Sequence, residues 1–470
     1  METYLHFYVL GLLLLLVFAG VEVAVSLGIV SFIAIFASTR DIDVSIAFLS
    51  NTAYEALRDY LFAVVPLFLL MGEFIARSGL AFDLYWGIDR WLKRIPGRFA
   101  YATVLGNVVF SFVSGTSLAS ATTFTAIAYP QMKRGGYSPH FSLGLISGSA
   151  CLGMLIPPSL LMVVWGILTN LSIGHLFLAG IIPGFMLAGL MMIYIFVVSL
   201  VRPDLVGHVP ARMAAAIADA KLKAEAAAAA VNASAAPPPT PADDNAPDIK
   251  APTAIGMAIS MIGIIAIVAG ALGGIWAGFF TPTEGAGIGA LIALGIGIIK
   301  GMRWPEIYAA ILSVGRTATP LMILVFSAQL YARTLSMSGI GAKLQEVMLT
   351  SGMTPGLTIL FMIGVWLILG MLIDSISIML LTVPIFAPVA IALGMNPIAF
   401  AMIGILTVEA GLLTPPFGMV VYAVKSVIPK EPVTMSLIFA GSTPFCVMLM
   451  IIVAIVYYFP VTATILTKMM

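Results

Sequence analysis

Two short polar breaks interrupt otherwise apolar sequence, and both are rich in oxygen: Ser114-Gly115-Thr116-Ser117 and Asp374-Ser375. Downstream of each lies a double proline, Pro157-Pro158 and Pro415-Pro416, again inside a long apolar segment. Each proline removes a backbone donor and disfavours helix in the residue before it. The carbonyls freed there need partners that lipid does not offer. A cation in a protein-enclosed cavity is one such partner, because cages of carbonyl oxygens can replace an ion's hydration shell. The hydroxyls of Ser114, Thr116, Ser117 and Ser375 add hard oxygen ligands, which suit an alkali cation and not zinc or copper. The alternative is a set of proline kinks whose serines bond back to their own helices. Recurrence of break and double proline in both halves of the chain favours the cation reading. Helices starting at Ser117 and Ser375 would also present partially positive N-termini to an anion such as a carboxylate.

Acids inside apolar sequence are functional candidates by default. Asp374, at the second polar break, is the strongest. Glu409 precedes the second double proline by six residues and either faces a cavity or pairs with a neighbour. Glu284 has capping-box spacing to Thr281. Glu73 and Arg77 are spaced for an i,i+4 ion pair. Arg316 and Arg333 flank one apolar stretch, where they either snorkel to the interface or contact an anion. The four histidines lack metal-ligand spacing, and Cys151 and Cys446 lie in apolar runs that suggest no disulfide framework. Phosphate-binding loops, zinc-protease motifs and nucleophile elbows are absent, so neither ATP hydrolysis nor standard hydrolase chemistry has support.

These residues must be positioned in a chain of 470 residues, 61% of them hydrophobic and only 9% charged. Soluble proteins carry about 25% charged residues, so lipid has to be the solvent for most of this chain. That excludes a secreted or cytosolic enzyme, a disulfide scaffold and a disordered protein. A net charge of +1 leaves no electrostatic footprint for nucleic acid. The apolar start lacks a basic leader and continues to Phe36, so it reads as a membrane segment with a break near Gly20 and not as a signal peptide. Further spans are expected over 61–77, 98–115, 117–132, 138–169, 174–201, 253–275, 284–301, 317–335, 356–373, 375–394, 397–425 and 433–459. No strand-like alternation suggests a β-barrel. From Arg202 to Lys250 the chain holds 11 charged residues in 49, an Ala-rich run and a Pro-rich tract, which read as a solvent-exposed linker.

The linker separates two halves that repeat. Pro130 to Pro157 is 27 residues, and so is Pro388 to Pro415. The polar breaks stand 14 or 15 residues before the first proline of each pair, and Ser78-Gly79-Leu80 matches Ser338-Gly339-Ile340. Lys and Arg concentrate on cytoplasmic loops. Arg90, Lys93, Arg94, Arg98, Lys133 and Arg134 flank the first polar break on both sides, whereas 350–356 and 394–397 around the second carry none. Two re-entrant hairpins entering from opposite faces make an inverted-topology repeat, a common plan of secondary transporters with sites at the midplane on broken helices. The amphipathic segment Leu84 to Arg94, with Trp86 and Trp91, suits the membrane interface and could brace a moving domain against a fixed one. The expected fold is therefore an all-α polytopic membrane protein with two re-entrant helical hairpins and broken helices.

Taken together, the chain resembles the large membrane subunit of TRAP transporters (tripartite ATP-independent periplasmic transporters, DctM type). The motifs carrying the resemblance are Ser114-Gly115-Thr116-Ser117, Pro130 followed by Lys133-Arg134-Gly135-Gly136-Tyr137, and Leu155-Ile156-Pro157-Pro158-Ser159. It continues through Phe280-Thr281-Pro282-Thr283-Glu284, Val383-Pro384-Ile385 and Glu409-Ala410-Gly411-Leu412-Leu413-Thr414-Pro415-Pro416-Phe417-Gly418. The resemblance implies an elevator-type transporter with sodium as coupling ion. It implies scaffold and arm over 1–97 and 253–353, a transport domain over 98–170 and 354–425, membrane helices over 171–201 and 426–470, and a cytoplasmic linker over 202–252. One sodium site would map to Ser114, Ser117, Gly153, Ile156 and Pro158, and a second to Gly370, Gly411, Thr414 and Phe417. Thr116, Asp374 and Ser375 are substrate candidates. The implied setting is a bacterial inner membrane, with an organic anion as substrate, lipid around the chain, and a small membrane subunit and a periplasmic solute-binding protein as partners. A stand-alone ion-coupled organic anion carrier or antiporter remains the alternative. An intramembrane enzyme using Asp374 and Glu409 has no need of the inverted repeat.

Overall fold

The computed structural model describes residues 5–207, 253–350 and 352–468. The described residues are helical apart from turns and one isolated antiparallel bridge, Tyr137 to Val206. The first half comprises α1 (Leu5–Phe18), α2 (Val23–Thr39), α3 (Ile42–Arg58), α4 (Val64–Arg77), α5 (Leu80–Trp91), α6 (Arg98–Ser114), α7 (Ser117–Arg134), α8 (Pro139–Ala150), α9 (Leu160–Thr169) and α10 (Ile173–Val201). The second half comprises α11 (Ala254–Trp276, with one π turn), α12 (Pro282–Ile299), α13 (Trp304–Met337), α14 (Ile340–Thr350), α15 (Pro355–Gly370), α16 (Ser375–Ala392), α17 (Pro397–Gly411), α18 (Met419–Val427) and α19 (Met435–Tyr458). Eight helices among the described residues are long and apolar enough to cross a membrane.

The order of elements repeats. A long helix and a short arm (α4–α5, α13–α14) precede a hairpin (α6–α7, α15–α16). A helix broken at the double proline (α8–α9, α17–α18) and a long closing helix (α10, α19) follow. Helix starts are written into the sequence by side-chain caps. Thr354 accepts from the Leu357 N–H at 3.4 Å, Asn396 from Ile398 at 3.0 Å, and Pro355 and Pro397 occupy first-turn positions where no donor is missed. The linker expected over 202–252 falls, from residue 208 on, outside the described residues.

The chain turns at Gly20 (φ +83°) as expected, so the N-terminal apolar stretch is two helices packed on each other. Two other expectations about elements change. Helix α3 had no place among the expected spans; it mixes polar and apolar residues and is capped by Asp41, which accepts from Asp43 N at 2.8 Å. Helix α13 starts at Trp304, thirteen residues before the apolar window at 317, because Pro305 and the Glu306 carboxylate organise its first turn; Glu306 accepts from the Arg303 N–H at 2.8 Å. Single prolines such as Pro130 and Pro388 lie inside helices without ending them, and only the double prolines break the helix outright.

The halves interlock. Helix α9, after the first double proline, packs on α16 of the second hairpin, and α18, after the second, packs on α7 of the first. Between them sits a buried aromatic cluster drawn from four helices. Trp165 lies 6.1 Å from Trp366 and 5.9 Å from Phe400, and Trp366 lies 5.4 Å from Phe386. Trp366 also donates its indole N–H to Thr382 Oγ1 at 2.8 Å, satisfying the one polar atom of the ring. A separate group, α2, α3, α4, α12 and α13, packs together and meets the hairpin assembly through α4 with α6 and α13 with α16.

Candidate functional site

At the first tip α6 ends with Ser114, and Gly115 (φ +65°) reverses the chain. Thr116 then caps α7, its hydroxyl accepting from the Ala119 N–H at 3.2 Å. Only glycine fits at 115: a Cβ there would stand 2.9 Å from the Pro158 carbonyl oxygen. The Gly115 carbonyl accepts from Leu160 N at 3.1 Å, just beyond the double proline. At the second tip α15 ends at Gly370, and Asp374 caps α16 by accepting from Ile376 N at 3.1 Å and Ser377 N at 3.0 Å. The Met371 carbonyl accepts from Phe417 N at 3.1 Å, again just beyond the double proline. Each hairpin tip is thus tied to the broken helix of its own half by one backbone hydrogen bond.

The breaks themselves are locally organised. Both double-proline bonds are cis. After the first, Ser159 caps α9, accepting from Met162 N at 3.4 Å and donating its hydroxyl to the Met154 carbonyl. After α17, Thr414 donates its hydroxyl to the Gly411 carbonyl at 2.6 Å. Gly153 and Gly411 occupy the same place in each half, four residues before the first proline. Gly153 lies against Thr116 O and Ser120 Oγ, and Gly411 against Gly370, at distances that leave no room for a side chain.

Ser114, Thr116, Asp374 and Ser375 line a single cavity of about 380 Å³, although the two tips are 258 residues apart (374 − 116). The same cavity is also lined by Gly72, Glu73 and Ala76 of α4 and by Ser313, Thr317 and Leu321 of α13. Behind the first tip, Ser114 Oγ and Ser120 Oγ are 3.2 Å apart, and Ser117 is fully buried. The Ser117 hydroxyl faces Glu409 Oε1 at 3.5 Å. Gly153, Ile156 and Pro158 are buried around this tip; Gly370 and Gly411 are buried at the second. Thr414 is half-buried, and the Phe417 side chain is exposed, so its link to the tip runs through the backbone.

Of the other charged candidates, Arg316 is exposed on α13 without an ion pair among the described residues, and the rest have structural partners. Glu73 and Arg77 form their ion pair at 2.7 Å, Arg333 pairs with Glu55 at 3.0 Å, and Glu284 closes a capping box with Thr281. Sequence reasoning missed the scaffold wall of the cavity. Ser313 and Thr317 are an i,i+4 polar pair on α13, a signal hidden by placing the start of that span at 317. It also missed Asp83, on the arm α5, which takes Lys300 Nζ at 2.5 Å and Ser260 Oγ at 2.6 Å and so joins the arm to α11 and α12. Asp89 on the same arm reaches Arg98 of the first hairpin at 3.3 Å.

Residues 10–462 match the family model described as "Tripartite ATP-independent periplasmic transporter, DctM component". The chain is 30% identical to the C4-dicarboxylate TRAP transporter large permease protein DctM of Pseudomonas aeruginosa, covering 88% of each chain. It is 27% identical to the sialic acid TRAP transporter large permease protein SiaM of Vibrio cholerae, over 95% of this chain and 94% of the other. Among solved structures, the YdaH transporter of Alcanivorax borkumensis shares the fold with a TM-score of 0.61 at 14% identity, over 90% of this chain and 91% of that one.

Proposed function

This chain belongs to the DctM component family of tripartite ATP-independent periplasmic transporters, and we propose that it is a sodium-coupled importer of a small organic acid. As a TRAP large permease it is a transporter subunit and not an enzyme. The observation that carries the reading is the cavity: both hairpin tips face the same scaffold helices, α4 and α13, across one space. Hairpins, broken helices, α10 and α19 form the transport domain in this account, and α2, α3, α4, α12 and α13 the scaffold.

The cavity sits on the cytoplasmic side of the scaffold. Its α4 wall, Gly72 to Ala76, lies in the last turn before Arg77 and the basic arm. Its α13 wall, Ser313 to Leu321, reaches from the third turn to the middle of the helix that follows Lys300 and Arg303. In this account the state described is inward-facing. Alternating access follows if the hairpins slide as one body along α4 and α13 toward the other face.

The donors present fit sodium. Ser114 and Ser117 hydroxyls with carbonyls of Gly153, Ile156 and Pro158 offer one all-oxygen set, and Gly370, Gly411, Thr414 and Phe417 offer another. Glu409 Oε2, a buried carboxylate oxygen without a partner among the described residues, lies beside the first set and adds an acceptor that a cation would satisfy. Bound sodium would supply positive charge there and satisfy the freed carbonyls. The chain's own contribution is the caps: Thr116 and Asp374 hold the N-termini of α7 and α16 at the cavity wall, where backbone N–H groups favour a carboxylate. The two relatives are named for C4-dicarboxylate and sialic acid, both carboxylates, which supports an organic acid here.

The family setting supplies the partners: a small membrane subunit, a periplasmic binding protein and the bacterial inner membrane. Reconstitution of all three proteins in liposomes tests the assignment, with a panel of labelled C4-dicarboxylates, 2-oxo acids and sugar acids. Uptake of one class that needs an inward sodium gradient and the binding protein is expected. Uptake without the binding protein would make the chain a stand-alone carrier, and uptake indifferent to sodium would remove the coupling.

A further inference from the structure

Glu409 is 1% exposed, on the last turns of α17, and no lysine, arginine or histidine among the described residues is paired with it. Among the described residues its Oε2 has no hydrogen-bond partner, and the carboxylate has two neighbours, Ser117 Oγ, 3.5 Å from Oε1, and the Cys151 thiol. A buried carboxylate in that position needs a positive partner. The Ser117 separation is informative. It is long for an O–H···O hydrogen bond, which closes to about 2.7–2.8 Å. It matches neighbouring oxygens around one hard cation, because metal–oxygen distances of ~2.4 Å at right angles keep them about 3.4 Å apart. The Cys151 thiol faces both the Glu409 carboxylate and its backbone carbonyl, the latter at 3.9 Å, and supplies no charge.

We infer that Glu409 is the charged ligand of a monovalent cation shared with the Ser117 hydroxyl, so that the first cation position is carboxylate-bearing and draws on both halves of the chain. The inference rests on the sodium-coupled reading above. It adds a ligand 292 residues away from Ser117 in sequence to a set otherwise made of neutral oxygens. The consequence is a charge-neutral site around Glu409 only when the cation is bound, which favours moving the tips in the loaded state.

The test uses the purified full-length chain in detergent, melted across a sodium titration with potassium keeping ionic strength constant. Glu409→Gln keeps the shape and removes the charge; Glu409→Asp keeps the charge and shortens the reach. The midpoint of sodium stabilisation is expected to rise at least tenfold in Glu409→Gln and less in Glu409→Asp. Glu409→Gln/Ser117→Ala should lose no more than the worse single variant, because both act on one ion. A Glu409→Gln midpoint equal to wild type, or additive losses in the double variant, would overturn the inference. The same holds if Glu409→Gln abolishes a pH response in potassium but keeps the sodium response, since a proton would then be the partner. If Glu409→Gln fails to fold, a Glu409→Asp midpoint equal to wild type overturns it. Absence of sodium stabilisation in wild type is a different result, and it removes the coupling reading itself.

Discussion

Gly370 at the end of the second hairpin's first helix and Gly411 at the end of α17 touch backbone to backbone: a Cβ built on either would lie 2.7 Å from the Cα of the other. No side chain fits that gap, so both breaks in the second half depend on two glycines at one contact. Gly411→Ala should destabilise the chain by about 1–3 kcal/mol through overpacking. Gly364→Ala, on the same hairpin helix with open space around it, should leave the melting temperature in detergent within a degree or two. Equal melting of the two variants would show that the contact is not tight.

Asp374 makes a second prediction, because its carboxylate caps α16 and also faces the cavity. Asparagine caps about as well as aspartate, and alanine costs about 1 kcal/mol. Asp374→Asn should therefore keep both stability and transport, while Asp374→Ala should lose stability and slow uptake. Loss of transport in Asp374→Asn at normal stability would move the residue from cap to charged contact with substrate or ion.

The arm makes a third. Lys300 and Asp83 are paired at 2.5 Å with side chains 12% and 9% exposed, and Ser260 completes the group. Lys300→Met strands a buried carboxylate and should cost about 3–5 kcal/mol. Lys300→Met/Asp83→Leu should recover much of that loss. Chemical or thermal denaturation in detergent measures both, and an undamaged single variant would contradict the burial of the pair.

Access to the cavity makes a fourth. Thr317 lines the cavity from the scaffold side, and the native thiols are sheltered, Cys151 buried and Cys446 half-buried. A Thr317→Cys substitution in a Cys151→Ala/Cys446→Ala background should react with a membrane-impermeant thiol reagent in inside-out vesicles. It should react several-fold more slowly in right-side-out vesicles. The reverse preference would contradict the inward-facing assignment.

Much of this was legible in the sequence because the bilayer narrows the choices. With 9% charged residues, each polar break in an apolar run has to mean something, and Ser117 and Ser375 are the first residues of their helices as expected. The repeat could be read because prolines and glycines, not side-chain chemistry, carry it: equal spacings from Pro130 and Pro388 mark equivalent breaks. What the sequence hid is tertiary. Nothing local says that Glu409 meets Ser117, that Lys300 meets Asp83, or that Ser313 lines the same cavity as Thr116. Helix α3 escaped notice because its polar residues lower its apolar content below that of a span, while its cap, Asp41, is an unremarkable loop residue until the helix is seen.

The coupled-carrier account rests on cation binding at the two broken helices, and one measurement reaches it without substrate or partner. The purified chain is melted in sodium chloride and in potassium chloride at equal ionic strength, beside Ser117→Ala/Thr414→Ala. An ion that binds only the folded state stabilises it by mass action, by about 2.7 kcal/mol at a hundredfold excess over Kd. The account predicts a higher melting temperature in sodium for the wild type and the same temperature in both salts for the double variant. Sodium stabilisation that survives intact in the double variant would place the ion elsewhere and contradict the account.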